Sequence, residues 1–214
     1  MTLPPLFARR FAQLIAGLFL YGIGISLMVR ASLGIAPWDV LTQGISEQTG
    51  WSFGALTNAI GLAVLLLWIP IRQKPGLGTV LNVLLIGPSA QFGLWLFPEF
   101  QGLWQQVPAF AAGLLVLALA TGMYIGANFG PGPRDGLMTG LHRRNGWPIG
   151  RVRTLIEASV LLAGWAMGGD AGRGTLVFAL SIGPMCAVTM RWFAAKPPRL
   201  AGDAAAAAEA PASG

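Results

Sequence analysis

Apolar residues run through this chain in six long stretches, which short polar or glycine-rich segments separate. Each stretch is close to the length that an α-helix needs to cross the roughly 30 Å hydrocarbon core of a bilayer. We predict transmembrane helices over residues 11–29, 53–71, 79–98, 107–129, 154–169 and 175–190. The hydrophobic pattern therefore indicates an all-α polytopic membrane protein.

The composition fits a bilayer environment. Of 214 residues, 54% are hydrophobic and only 10% are charged, a balance too apolar for a soluble domain. The net charge of +6 comes from basic residues that stand singly or in pairs beside the apolar stretches. Because they form no continuous basic face, we expect membrane lipids and no nucleic acid as partners.

The second polar interruption, residues 131–146, repeats the first, residues 35–50, at a constant offset. Asp39 and Asp135 define this offset (135 − 39 = 96). It also relates Pro37/Pro133, Leu41/Leu137, Gly44/Gly140, Gly50/Gly146 and Trp51/Trp147. Glycine and proline positions reflect backbone geometry rather than hydrophobicity, so these matches indicate an internal duplication.

The duplication divides the chain into a first transmembrane repeat over residues 1–98, a second over residues 107–195, and a tail over residues 196–214. Since each repeat has three predicted spans, the second enters the bilayer from the opposite face. The expected fold is two inverted three-helix repeats, with short polar or re-entrant segments after spans one and four. The tail is rich in proline and alanine and is predicted to be disordered.

The basic residues predict the orientation in the membrane. If both termini are cytoplasmic, every Lys and Arg lies on the cytoplasmic side except Arg30 and Arg173. This distribution follows the positive-inside rule.

Several strings of this sequence carry a family resemblance. They are LYGIGISLMVRASLGIAPWDVLTQG, GTVLN, YIGANFGPGPRDGLMTGL, RRNGWPIGRVRTLIE and GRGTLVFALSIGP. Together they resemble the YczE/YyaS/YitT group of bacterial integral membrane proteins, in particular the YczE type, over about residues 9–193. The resemblance implies a multi-span helical fold in the bacterial cytoplasmic (inner) membrane, and it brings no substrate.

Asp39 and Asp135 each follow a proline by two residues, and two interpretations fit them. In the first, which is the commoner role, the carboxylate stabilises unpaired N–H groups at a helix start. In the second, the two segments are re-entrant, and both aspartates and Arg134 line a pathway. The depth of the segments in the membrane decides between the two.

Glu157 is the only acidic residue inside a predicted span. It either forms an ion pair with Arg153, one helical turn earlier, or acts as a proton or cation site. Pro88 and Pro184 interrupt spans three and six at mid-length, as packing kinks or as breaks that free carbonyl groups for a ligand. Asn82 lies near the first of these breaks.

These residues favour a small-molecule or ion transporter or channel with its site at the repeat interface. The alternative is a non-transporting partner or scaffold that acts through its cytoplasmic basic loop, residues 134–153, on a membrane protein or a second copy. An enzyme is not expected, because one His, one Cys and no nucleophile with a base at usable spacing leave little chemistry. We expect no cofactor and no metal site. A polar cavity that reaches Asp135 or Glu157 would favour transport.

Overall fold

The computed structural model describes residues 5–193, which form nine α-helices. These are α1 (Pro5–Ala31), α2 (Pro37–Thr49), α3 (Phe53–Leu66), α4 (Trp68–Ile71), α5 (Leu77–Leu96), α6 (Leu103–Gly126), α7 (Pro133–Asn145), α8 (Ile149–Ala166) and α9 (Arg173–Phe193). The all-α class is confirmed for this part of the chain. The tail predicted over residues 196–214 lies outside the described residues.

Five segments of the described chain are long and apolar enough to cross a membrane. They are Leu6–Ala31, Phe53–Ile71, Leu77–Leu96, Leu103–Gly126 and Arg173–Phe193, and they overlap five of the six predicted spans. The remaining prediction falls on α8, which is 18 residues long but carries Arg151, Arg153 and Glu157. Charges of this kind are costly in lipid, so α8 does not qualify on composition alone.

The helices of the two halves begin at matching positions. The starts are Pro37 and Pro133 for α2 and α7, Phe53 and Ile149 for α3 and α8, and Leu77 and Arg173 for α5 and α9. Gly50 and Gly146 end α2 and α7 in the left-handed conformation, with φ of 73° and 68°. Glycine adopts this conformation without strain from a side chain, which explains its place at both helix ends. The sequence offset therefore recurs in the helix boundaries.

Helices α1 and α6 pack along each other at the centre, α5 lies against α1, and α9 lies against α6. Glycine makes the central contact close: a Cβ added at Gly24 would lie 3.0 Å from the carbonyl oxygen of Gly113. Leu14, Leu18 and Leu117 belong to the core along these helices and are almost completely buried. Such close packing of small residues is how helices associate in membranes.

Contacts at the two ends of the bundle fix the helix directions. At the first end, here called end A, Gln13 of α1 donates to the carbonyl oxygen of Met123, near the end of α6, at 2.8 Å. At the opposite end, end B, the Gly174 N–H at the start of α9 donates to the Leu33 carbonyl, just after α1, at 2.6 Å. Helices α6 and α9 therefore run antiparallel to α1. Helix α5 runs parallel to α1, because Arg30 reaches the Leu94 carbonyl at end B.

Helix α2 begins inside the protein and ends at its surface: residues 37–40 are buried, whereas residues 47–50 are exposed. It packs on α8 from the other half, and a Cβ added at Gly44 or at Gly164 would overlap the backbone of the facing helix. Glycine at both positions is therefore required by the close approach of the two backbones.

Helix α7 also packs on the other half of the chain, but through a large side chain. Trp68 of α4 is 1% exposed and lies over Gly136, where a Cβ would overlap its ring. Its indole Nε1–H donates to the Pro133 carbonyl at 3.0 Å. This bond fixes the first residue of α7 inside the protein, close to the first residues of α2.

Candidate functional site

A cavity of about 290 Å³ lies where the first residues of α2 and α7 meet. Its wall contains residues from equivalent positions of the two halves: Tyr21/Leu117, Ala36/Gly132, Pro37/Pro133, Trp38/Arg134, Thr57/Arg153, Gly61/Glu157, Asn82/Phe178 and Ile86/Ile182. Since the members of each pair are 96 residues apart, the cavity lies at the junction of the halves. The charged side chains of the wall all come from the second half. The equivalents of Arg134, Arg153 and Glu157 in the first half are Trp38, Thr57 and Gly61, and only Asp135 has an acidic equivalent, Asp39.

Asp39 and Arg134 connect the two short helices beside this cavity. The Asp39 carboxylate is 2% exposed and accepts a hydrogen bond from the Arg134 guanidinium at 3.4 Å. The guanidinium carbon also lies 5.2 Å from the ring centroid of Trp38, within cation–π range. Burial raises the pKa of Asp39, and the charge and hydrogen bond of Arg134 act in the opposite direction.

Asp135 has a different partner. Its carboxylate accepts a hydrogen bond from the Tyr124 hydroxyl at 2.5 Å, and no Lys or Arg nitrogen of the described residues lies within 4 Å of it. Both aspartates lie in the first turn of a helix, where the helix dipole favours negative charge. Their hydrogen bonds, however, go to side chains from elsewhere in the fold and not to the N–H groups of their own helices.

Glu157 forms the ion pair that its spacing predicts. Its carboxylate lies 2.9 Å from Nε of Arg153, and the two side chains are 22% and 49% exposed. Because both residues also line the cavity, the ion pair and a position in a candidate site occur together. An ion pair this exposed contributes only about 0–1 kcal/mol to stability.

Asn82 lines the cavity, whereas Pro88 and Pro184 do not. Both prolines lie on exposed faces of their helices. The Leu84 carbonyl, which Pro88 leaves without its helical partner, accepts a hydrogen bond from Asn58 of α3 at 3.4 Å. The break in α5 therefore joins two helices, as the packing interpretation expects.

Sequence reasoning did not identify Tyr21, Tyr124 and Trp38 as site residues. The chain has only two tyrosines, and both line the cavity with ring centroids 6.0 Å apart in an edge-to-face arrangement. A tyrosine in the middle of an apolar span needs a hydrogen-bond partner for its hydroxyl group. The positions of Tyr21 and Tyr124 within predicted spans could therefore have identified them as site residues from the sequence.

The two halves also differ between the helix pair α3–α5 and its equivalent, α8–α9. In the first half α3 packs along α5: a Cβ at Gly54 would lie 2.5 Å from the Gly87 carbonyl oxygen, and Gln91 accepts from the Gly54 N–H at 3.1 Å. In the second half α8 does not pack along α9 in this way. Gly150 and Gly183, the equivalents of Gly54 and Gly87, are exposed and have no neighbour that a Cβ would meet. One side of the cavity is thus closed and the other open.

These features define a helical membrane protein with a mostly apolar cavity that carries a few charged side chains. Residues 8–191 match a family described as "Family of unknown function (DUF6198)", and the chain belongs to this family.

Curated relatives agree with this assignment. An "Uncharacterized protein" of Haemophilus influenzae is 37% identical over 82% of this chain and 80% of its own length. "Uncharacterized membrane protein YczE" of Bacillus subtilis is 32% identical over 81% of this chain and 82% of its own. "Uncharacterized protein YyaS" of the same organism is 29% identical over 75% and 82%. The predicted resemblance to YczE and YyaS is confirmed. No solved structure matches the chain significantly.

Proposed function

We propose that this protein transports a small solute across the bacterial inner membrane through the cavity between its halves. The observation that carries the proposal is the position of the cavity. It is lined by equivalent residues of both halves and lies between a closed helix pair, α3 and α5, and its open equivalent, α8 and α9. Secondary transporters built from inverted repeats hold their substrates at such an interface.

The helix directions support an inverted repeat. Helices α1 and α5 run from end A to end B, whereas their equivalents α6 and α9 run from end B to end A. With α3–α4 and α8 as the third pair, each half has three spans related by an axis in the membrane plane. Helices α2 and α7 are then re-entrant, with their first residues buried in protein, where irregular backbone is tolerated in a membrane. Arg9, Arg10 and Arg191 lie at end A, and by the positive-inside rule we propose that end A faces the cytoplasm.

The difference between the halves supports alternating access. In inverted repeats, an exchange of the two conformations converts an opening on one face into an opening on the other. Here the opening lies between α8 and α9, where Arg153 and Met190 border the cavity towards end A. A depression at end B, bordered by Gln91 and Leu94 among others, lies beside the closed α3–α5 pair. The exchanged state would connect this depression to the cavity.

Hydrogen bonds hold the closed pair together. Asn58 accepts from the Gly87 N–H at 3.0 Å and donates to the Leu84 carbonyl, and Gln91 accepts from the Gly54 N–H. The equivalents of Asn58 and Gln91 are Thr154 and Ala187, which make no such bonds in the described structure. At about 1 kcal/mol each, three bonds favour the state open to end A by an amount that a ligand can overcome.

Accessibility of a single cysteine tests this proposal. Gly61 borders the cavity, and a Cβ there would make only an ordinary contact with Val83 at 3.4 Å. Because its equivalent, Glu157, also lines the cavity, residue 61 faces the cavity in both proposed states. Cys186→Ala/Gly61→Cys in sealed vesicles should react with a membrane-impermeant thiol reagent applied from either side.

Gly183→Leu in the same background is the control. A leucine at this open position fits the state open to end A but obstructs closure of α8 on α9, so labelling should then occur only from end A. If residue 61 reacts from one side alone in both variants, the cavity is static and the transport proposal fails. That result would favour the alternative, a membrane partner that acts through its basic loop.

A further inference from the structure

We infer that the cavity binds a small organic ammonium ion that carries a compact apolar group. This inference names the ligand class of the proposed transport site. The binding step itself depends only on the cavity and its side chains, so it can be tested separately from movement across the membrane.

The charges around the cavity leave one carboxylate without a cation. Arg134 is neutralised by Asp39, which lies behind the cavity wall, and Arg153 is neutralised by Glu157. Asp135 has only the Tyr124 hydroxyl as its described polar partner. The five charged groups therefore sum to one negative charge, which a monovalent cation would balance. An anion would meet two guanidinium groups that are already paired.

The wall favours an organic cation over a bare metal ion. Ile86, Leu117, Phe178 and Ile182 contribute apolar surface to the cavity, whereas Ca²⁺ and Mg²⁺ take six or more oxygen ligands at short range. Small-molecule sites have this composition, with mostly apolar walls and a few placed polar groups.

Aromatic rings add to the attraction. The rings of Tyr21 and Tyr124 lie edge to face beside Asp135, and Phe178 of α9 also lines the cavity. The faces of such rings attract ammonium groups, most strongly when water is excluded. A carboxylate combined with several aromatic rings recognises an alkylated or primary ammonium group.

Choline and 3,3-dimethylbutan-1-ol provide a matched pair of probes, because the second replaces the ammonium nitrogen of the first with carbon at nearly constant shape. Calorimetric titration of the full-length protein in detergent should show choline binding at least about tenfold more tightly than the alcohol, since only choline can balance Asp135. Ethanolamine and propan-1-ol form a second, smaller pair with the same expected order.

Asp135→Asn should weaken choline binding about tenfold or more and leave the alcohol unaffected. Glu47→Gln, an equivalent change at an exposed position outside the cavity, should leave both unaffected. The inference is overturned if neither ammonium probe binds better than its neutral counterpart, or if Asp135→Asn leaves choline affinity unchanged. If the binding test fails but residue 61 is labelled from both sides, only the ligand class is rejected. If choline binds but residue 61 is labelled from one side alone, only transport is rejected.

Discussion

The same substitution should have opposite effects at two equivalent glycines, Gly87 and Gly183. At Gly87, a Cβ would overlap the Gly54 carbonyl oxygen and the Asn58 side chain, whereas at Gly183 it would meet nothing within 4 Å. Gly87→Ala therefore forces α3 and α5 apart, and Gly183→Ala only replaces glycine by a better helix former.

The structure gives the size of each effect. Gly87→Ala loses the two hydrogen bonds of Asn58, about 1 kcal/mol each, and adds about 1–3 kcal/mol of overpacking. Better helix propensity returns about 1 kcal/mol, which leaves a loss of about 2–4 kcal/mol. Gly183→Ala should stabilise by about 0.5–1 kcal/mol.

Thermal unfolding in detergent, followed by circular dichroism, measures the difference. For a chain of this length, 1 kcal/mol corresponds to about 2–4 °C in Tm. Gly87→Ala should therefore lower Tm by about 4–16 °C, and Gly183→Ala should raise it by about 1–4 °C. Equal shifts at the two positions would refute the contrast between a closed α3–α5 pair and an open α8–α9 pair.

Three further predictions concern the charged residues and the topology. Asp39→Ser should destabilise the protein by about 3–5 kcal/mol, because it leaves the partly buried Arg134 without its partner; a loss near 1 kcal/mol in the same unfolding assay would restore the helix-cap role. Glu157→Gln should change stability by less than about 1 kcal/mol. It should nevertheless weaken choline binding, because Arg153 then adds an unbalanced positive charge to the cavity. An unchanged choline affinity in calorimetry would show that Glu157 is not part of the site. Reporter fusions at Gln73 and at Arg143 should both report the cytoplasm, and opposite sides would contradict the inverted repeat.

The sequence predicted those features that depend on one element or on the offset. The helix starts at Pro37 and Pro133 followed from residue types that fix backbone geometry. The pair of Arg153 and Glu157 followed from spacing on one helix. Such features are local, so the residues themselves determine them.

Contacts between distant elements could not be predicted in the same way. The bond between Asp39 and Arg134 depends on how two short helices from different halves approach each other, and Asp39 alone fitted a helix cap. The exposed positions of Pro88 and Pro184 depend on helix rotation about the axis, which a uniformly apolar span does not encode. The opening between α8 and α9 is a difference between two equivalent contacts, and only the assembled structure reveals it.

Distances between spin labels test the central claim most directly. Trp147 lies just before α8 and Arg191 lies near the end of α9, so labels at these two residues report the separation of α8 and α9. Their equivalents, Trp51 and Trp95, report the separation of α3 and α5 in the same way. All four residues are exposed. In a Cys186→Ala background, the distance between residues 147 and 191 should be longer than that between residues 51 and 95. Asn58→Ala/Gln91→Ala removes the hydrogen bonds that close α3 on α5, so it should shorten the 147–191 distance and lengthen the 51–95 distance. Distance distributions that stay unchanged at both pairs would contradict two halves that exchange conformations around a shared cavity.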